Sequence, residues 1–85
     1  YPNPFNPITK IKYTLPNESE VKISIYNTLG EKVTELINKT QPAGFYEMEW
    51  NASNFSSGVY IYQLEAKSQN TAELFHDVKK MILLR

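Results

Sequence analysis

The single histidine of the chain, His76, is followed directly by Asp77. A histidine oriented by a carboxylate is the couple that serine hydrolases use to move a proton. Neighbouring residues of a β-strand point to opposite faces, however, so in a strand these two side chains cannot form that couple. No Gly-x-Ser-x-Gly nucleophile sequence occurs either. We therefore expect His76 to be structural or exposed to solvent.

Glu47 and Glu49 are two residues apart, which in a strand places both carboxylates on one face. Paired carboxylates about 5–10 Å apart can hydrolyse glycosidic bonds. Here they alternate with Tyr46, Met48 and Trp50, so the acidic face lies opposite an apolar one. This pattern predicts that the two carboxylates lie on a solvated face and not in a cleft.

Four aromatic residues, Tyr46, Trp50, Tyr60 and Tyr62, could act in either of two ways. On an open face they would form a stacking platform for sugars. Because they recur on the alternating apolar side of their strands, core packing explains their positions at least as well. We predict a core role and keep a carbohydrate-binding or adhesive module of a secreted glycosidase as the alternative function.

The chain closes with a basic and then apolar segment, Lys79-Lys80-Met81-Ile82-Leu83-Leu84-Arg85. One interpretation is an ordinary buried last strand with a charged end. The other is a recognition strand, which a partner peels off or adds to its own sheet edge. The sequence leaves both interpretations open, and these seven residues are the candidate recognition site.

Composition narrows the classes of function further. Nine Lys plus Arg balance nine Asp plus Glu, whereas nucleic-acid binding normally requires a basic excess, so we expect no nucleic-acid partner. The absence of cysteine excludes disulfides and thiolate metal sites, and no calcium-loop spacing is present. No apolar stretch approaches the ~20 residues of a membrane helix. We predict no enzyme activity, no catalytic residue, no metal and no cofactor.

Alternation of apolar and polar residues recurs along the chain, and this period of two is typical of β-strands. Gly30, Gly44 and Gly58 fall between the alternating segments and are predicted to serve the turns. The irregular alternation of the last segment suggests a bulge near Asp77. Strands are predicted at Ile11–Leu15, Val21–Ile25, Val33–Ile37, Tyr46–Trp50, Val59–Ala66 and Glu73–Leu84.

Short strands separated by turns every eight to twelve residues predict an all-β fold, specifically an immunoglobulin-like antiparallel β-sandwich of six to seven short strands. The first residues of Val59–Ala66 are apolar on both faces of the strand, which predicts that this segment is a central strand. Pro2, Pro4 and Pro7 exclude a helix at the start of the chain, so residues 1–7 should be extended.

Five segments resemble, in the right order, the type A C-terminal sorting domains of the type IX (Por) secretion system of Bacteroidetes and related phyla. The similarity spans essentially the whole chain. Two positions depart from the family pattern: Glu31 stands where an arginine is frequent, and the turn at Lys67–Ala72 is longer and more polar than usual. The similar segments are Tyr1–Pro7, Ile25–Val33, Ala43–Trp50, Ser57–Leu64 and Lys79–Leu84.

The resemblance implies that residues 1–85 form a single C-terminal sorting domain of an exported protein. Residues 1–7 would be the extended junction to an upstream cargo domain, and residues 79–85 would be the terminal signal strand. The implied partners are the outer-membrane translocon and a cell-surface sortase, which cuts near the junction and attaches the cargo to a lipopolysaccharide. The implied route runs through the periplasm to the cell surface or the medium. Exposed strand edges also offer a route to self-association.

Overall fold

The computed structural model describes residues 4–5 and 7–84, with side chains for residues 7–84. Every regular element among them is a β-strand. The strands are β1 (Pro4–Phe5), β2 (Ile8–Leu15), β3 (Ser19–Asn27), β4 (Lys32–Gln41), β5 (Gly44–Asn51), β6 (Gly58–Ser68) and β7 (Leu74–Leu83).

The strands form two sheets that enclose one core. The larger sheet has five strands in the order β1-β7-β6-β3-β4, and the smaller sheet pairs β2 with β5. All pairs are antiparallel except β1 with β7, which run parallel. The predicted all-β sandwich is confirmed, and so is the central position of the strand that contains Val59–Ala66. The short parallel pair was not predicted.

The core forms where the register places apolar residues of neighbouring strands side by side. Ile23 lies opposite Leu64, and Ile25 lies opposite Tyr62. All four side chains point between the sheets and are buried. Cross-strand pairs of β-branched, aliphatic and aromatic residues stabilise a sheet and its buried face together. The other buried apolar residues are Ile11, Tyr13, Leu15, Val21, Ile37, Trp50, Ala52, Tyr60, Ala66, Met81 and Leu83.

The smaller sheet covers only part of the larger one, and this shows in β7. Met81 and Leu83 are buried, whereas Phe75, on the same face of the same strand, is 56% exposed. The predicted bulge near Asp77 is wrong, because the β6–β7 register is unbroken from Gly58 to Lys67. The alternation of β7 is irregular because solvent reaches both faces of its first half. The register shifts of the larger sheet lie between β3 and β4 instead.

Strand β4 is longer than predicted, running from Lys32 to Gln41 where the sequence suggested Val33–Ile37. Its second half contains three consecutive polar residues, 38–40, all exposed. Since β4 is the outer strand of its sheet, these residues need not alternate with core residues to keep their backbone pairing with β3. The alternation of apolar and polar residues is therefore a weak predictor of the length of an edge strand.

The loop between β5 and β6 is held by three aromatic rings. The Trp50 ring centroid lies 5.5 Å from that of Phe55 and 5.4 Å from that of Tyr60, in tilted and edge-on arrangements favourable for aromatic pairs. The Tyr60 hydroxyl also donates to the carbonyl oxygen of Ser56 at 2.8 Å. Phe55 of the loop thus packs against one ring from each flanking strand, Trp50 of β5 and Tyr60 of β6.

The turn between β3 and β4 depends on Asn27 and Gly30. The Asn27 side-chain oxygen accepts from the backbone N–H groups of Leu29 and Glu31, at 2.9 and 3.0 Å. Gly30 has φ = +83°, a left-handed conformation that glycine adopts without steric cost. Gly44 and Gly58 are the first residues of β5 and β6.

We expect Gly30→Ala to lower the free energy of unfolding by about 1–2 kcal/mol, because an L-residue pays this cost in the left-handed region. An added Cβ would meet no atom within 4 Å, so the loss would come from the backbone conformation alone. Urea denaturation measures it. Gly30→Asn is the matched control and should lose less, since asparagine tolerates positive φ. Equal losses for both variants would contradict the explanation.

Two core tyrosines make the fold sensitive to alkali. Burial raises the pKa of Tyr13 and of Tyr62, and for Tyr62 the nearby Asp77 carboxylate raises the pKa further. In the unfolded chain a tyrosine ionises near pH 10. A folded-state pKa above that value means that stability is fully present below about pH 10 and falls as the pH rises through the folded pKa.

We therefore expect the free energy of unfolding to decline above about pH 10, and Tyr62→Phe to decline less steeply than wild type because it has lost one ionising group. Chemical denaturation at a series of pH values from neutral to alkaline measures both slopes. Each protein's own value at pH 7 serves as its reference. Identical slopes for the two proteins would contradict a contribution from Tyr62.

Candidate recognition surface

The predicted recognition residues lie on β7 and just beyond it, and the structure divides them into two groups. Met81 and Leu83 point into the core and are 7% and 0% exposed. Lys79 and Lys80 are exposed, and Leu84, which follows the strand, is 50% exposed. Ile82 is half-buried on the outer face. Arg85 lies outside the described residues.

The buried group anchors the strand. Met81 lies opposite Tyr60, and Leu83 lies opposite Gly58 on β6. On its other side the end of β7 pairs with β1, with Ile82 opposite Pro4 and Leu83 opposite Phe5. The last residues of β7 therefore have a strand on each side and the core beneath them, so their apolar side chains contribute to folding.

The two lysines of the exposed group belong to a lysine-rich groove between β2 and β7. Lys10 and Lys12 of β2 and Lys79 and Lys80 of β7 line this groove. The Lys10 and Lys12 amines lie 3.6 and 3.9 Å from the Glu47 carboxylate oxygens, which offsets part of their charge. Within the part of the chain that the structure describes, neither Lys79 nor Lys80 has a carboxylate within 4.0 Å. The groove presents positive charge to solvent.

The four aromatic residues considered for sugar stacking form no open platform. Trp50, Tyr60 and Tyr62 are buried. Tyr46 is half-buried, stacks on Tyr13 with ring centroids 5.3 Å apart, and donates from its hydroxyl to the backbone of the preceding turn. The predicted core role is confirmed for the three buried rings, and the sugar-stacking alternative loses the surface it requires.

The other candidate catalytic groups are not brought together. His76 lies opposite Glu65, with 4.0 Å between the histidine Nε2 and a carboxylate oxygen, while Asp77 lies opposite Leu64 on the other face. Glu47 and Glu49 are exposed, as predicted. Residues 7–84 contain no group of three or more His, Cys, Asp or Glu able to hold a metal. Nor do they include a helix long and apolar enough to cross a membrane.

Sequence reasoning missed a set of exposed apolar side chains on β5 and β7. Phe45 is 88% exposed beside the acidic residues of β5, and Leu74, Phe75 and Val78 are all more than half exposed on β7. Phe75 lies at an open cleft of about 270 Å³ where the sheets part, next to Leu15. The sequence did contain an indication of this exposed set: apolar residues occur on both faces of β7, although only one face can pack against the smaller sheet.

Comparison with known protein families identifies the class of this domain. Residues 1–82 match the family model described as "Secretion system C-terminal sorting domain". The chain belongs to this family, the sorting domains of the type IX (Por) secretion system, and the resemblance noted in the sequence is confirmed. Such a domain is a C-terminal sorting signal for export to the cell surface or the medium, and its family is not catalytic.

Among solved structures, the crystal structure of CopC from Methylosinus trichosporium OB3b is similar, with a TM-score of 0.66 and 18% sequence identity. The similarity covers 96% of this chain and 82% of that chain. At this level of identity it shows a shared β-sandwich fold. No curated protein sequence matches the chain.

We expect Leu83→Ala to reduce the free energy of unfolding by about 2–5 kcal/mol, the usual cost of deleting a fully buried leucine side chain. Leu84→Ala is the matched control: it is the neighbouring leucine, half exposed, and should change stability by at most about 0.5 kcal/mol. Urea denaturation of both variants measures the difference. Similar losses in the two variants would contradict the assignment of Leu83 as the anchor.

Proposed function

We propose that the outer-membrane translocon recognises the folded domain through the exposed part of its terminal strand. Lys79, Lys80 and Leu84 are the side chains that the translocon contacts, while Met81 and Leu83 hold the strand in position. The observation that carries this proposal is the division of β7 into a buried and an exposed set within one short segment. A partner can reach the exposed set without unfolding the domain.

The position of β1 supports the rest of the proposed route. The start of the domain, where the upstream cargo domain is joined, pairs directly with the end of β7. A surface that holds the terminal strand therefore also lies beside Pro4 and Phe5, which belong to the proposed junction. We propose that the domain passes through the periplasm, is held by the translocon at this end, and is then cut at the junction by the cell-surface sortase.

Export of a reporter tests the proposed contacts. A periplasm-targeted fluorescent protein followed by residues 1–85 should reach the surface or the medium of a type IX-competent bacterium, and the same fusion without residues 79–85 should remain in the periplasm. Lys79→Glu/Lys80→Glu should also remain there, because the charge that the translocon reads is reversed. Lys39→Glu/Lys67→Glu makes the same charge change at exposed lysines elsewhere and should be exported.

Stability measurements separate loss of recognition from loss of folding. The Lys79→Glu/Lys80→Glu domain should unfold at the same urea concentration as the Lys39→Glu/Lys67→Glu control, within the small effects typical of surface changes. If the Lys79→Glu/Lys80→Glu fusion is exported as well as wild type, the two lysines are not contacts. If the complete domain leaves the reporter in the periplasm while a native cargo is exported, the sorting mechanism proposed here is wrong for this chain.

A further inference from the structure

Strand β7 has an unpaired edge along most of its length. In the described part of the chain, β1 covers only Ile82 and Leu83, so residues 74–81 have β6 on one side and no strand on the other. This open edge runs eight residues without a register shift. It is the longest uninterrupted edge of the larger sheet, since the opposite edge strand, β4, pairs with β3 through two register shifts.

The direction of the free backbone groups follows from one hydrogen bond. The Ser68 N–H donates to the Glu73 carbonyl at 3.1 Å, so these two residues form a hydrogen-bonded pair at the closed end of the β6–β7 hairpin. Hydrogen-bonded and non-hydrogen-bonded pairs alternate along an antiparallel ladder. The odd-numbered residues of β7 thus bond to β6, and the even-numbered ones, from Leu74 to Lys80, direct N–H and C=O outward.

An open edge of this kind is a template for pairing with another strand, and proteins that remain monomeric commonly protect such edges with bulges, prolines or charged side chains, lysine above all. The β4 edge is interrupted by register shifts and has polar residues in its second half. The β7 edge has neither a bulge nor a proline, and its charged residues are of both signs, so a second strand can match them. Phe75 and Val78 beside it are 56% and 58% exposed. These features favour a strand partner at β7.

We propose that two copies of this chain pair through their β7 edges, antiparallel and about a two-fold axis at Val78, so that their larger sheets become one continuous sheet. Val78 then forms a hydrogen-bonded pair with Val78 of the partner subunit. His76 pairs with Lys80 of the partner subunit in the same way. The paired segment, residues 75–81, uses nearly all of the free edge and stops short of β1.

Charge selects this register among its neighbours. A two-fold axis perpendicular to the sheet places one residue opposite its own copy in the partner subunit. The neighbouring registers are those in which the axis passes beside the preceding or the following residue of β7. A centre at Asp77 would oppose two carboxylates, and a centre at Lys79 would oppose two ammonium groups. With the centre at Val78, each Asp77 faces Lys79 of the partner subunit, which gives two pairs of opposite charge. Opposite charges directly across a strand pair are stabilising, and like charges are destabilising.

Sedimentation velocity and equilibrium on the 85-residue chain test the pairing. The interface is small, so we expect a reversible monomer–dimer equilibrium between about 10 µM and about 1 mM. Asp77→Lys alone and Lys79→Asp alone should each raise the dissociation constant at least about tenfold, because both charge pairs become repulsive. An equimolar mixture of the two variants should form heterodimers with near wild-type affinity, since both pairs are then restored to opposite sign.

The mixture separates pairing from effects on folding. Both variants should retain the wild-type circular dichroism spectrum and unfolding midpoint, because Asp77 and Lys79 are at the strand edge and not in the core. A wild-type chain that stays monomeric up to about 1 mM overturns the proposal. Variants that dimerise as wild type does, or a mixture that gains nothing over its components, overturn the register.

Discussion

The structure depends on a mismatch in width: a two-stranded sheet packs against a five-stranded one. Two strands can exclude water from only part of the facing surface, so the core lies beneath β3, β6 and the end of β7. The first half of β7 extends past this cover, although its backbone pairs with β6 throughout. The same strand is therefore part of the core at Met81 and Leu83 and part of the surface from Leu74 to Lys80.

This division bears on how a terminal strand can be recognised. Burying one leucine side chain stabilises a fold by roughly 1.5–3 kcal/mol, while an entire small domain is stable by about 5–15 kcal/mol. Peeling off β7 would expose Met81 and Leu83 and break a ten-residue pairing with β6, which would consume much of that stability. Contact with the strand in place avoids this cost. The energetics therefore favour recognition of the strand in its folded position over recognition that requires the strand to be peeled off.

The parts of the fold that the sequence predicted are those where apolar and polar residues alternate along a covered strand. Val21, Ile23 and Ile25 form the apolar row of β3, although Ser24 between them is also buried. Tyr60, Tyr62 and Leu64 form the apolar row of β6, and both strands have a partner on each side and a covered face. The sequence predictions failed at the edge strands. The predicted β4 is shorter than the observed strand, and the bulge predicted in β7 is absent. There, solvent replaces the second sheet or the next strand, and burial no longer constrains residue type. For the candidate site, the sequence indicated residues 79–85 as the segment to consider, but not how these residues divide into buried anchors and exposed side chains. That division depends on where the smaller sheet ends.

The parallel pairing of β1 with the end of β7 places the proposed junction beside the proposed recognition strand. Adjacent strands lie about 4.8 Å apart, so the backbone entering at Pro4 lies one strand spacing from Ile82. A partner that binds the terminal strand would then be within reach of the segment that leads to the proposed cargo domain. No rearrangement of the sandwich is required. Because Leu83 is anchored in the core between β6 and β1, displacing the end of β7 would also release β1. The position of the proposed junction is thus coupled to the position of the proposed recognition strand, and a misfolded domain would present neither in the right place.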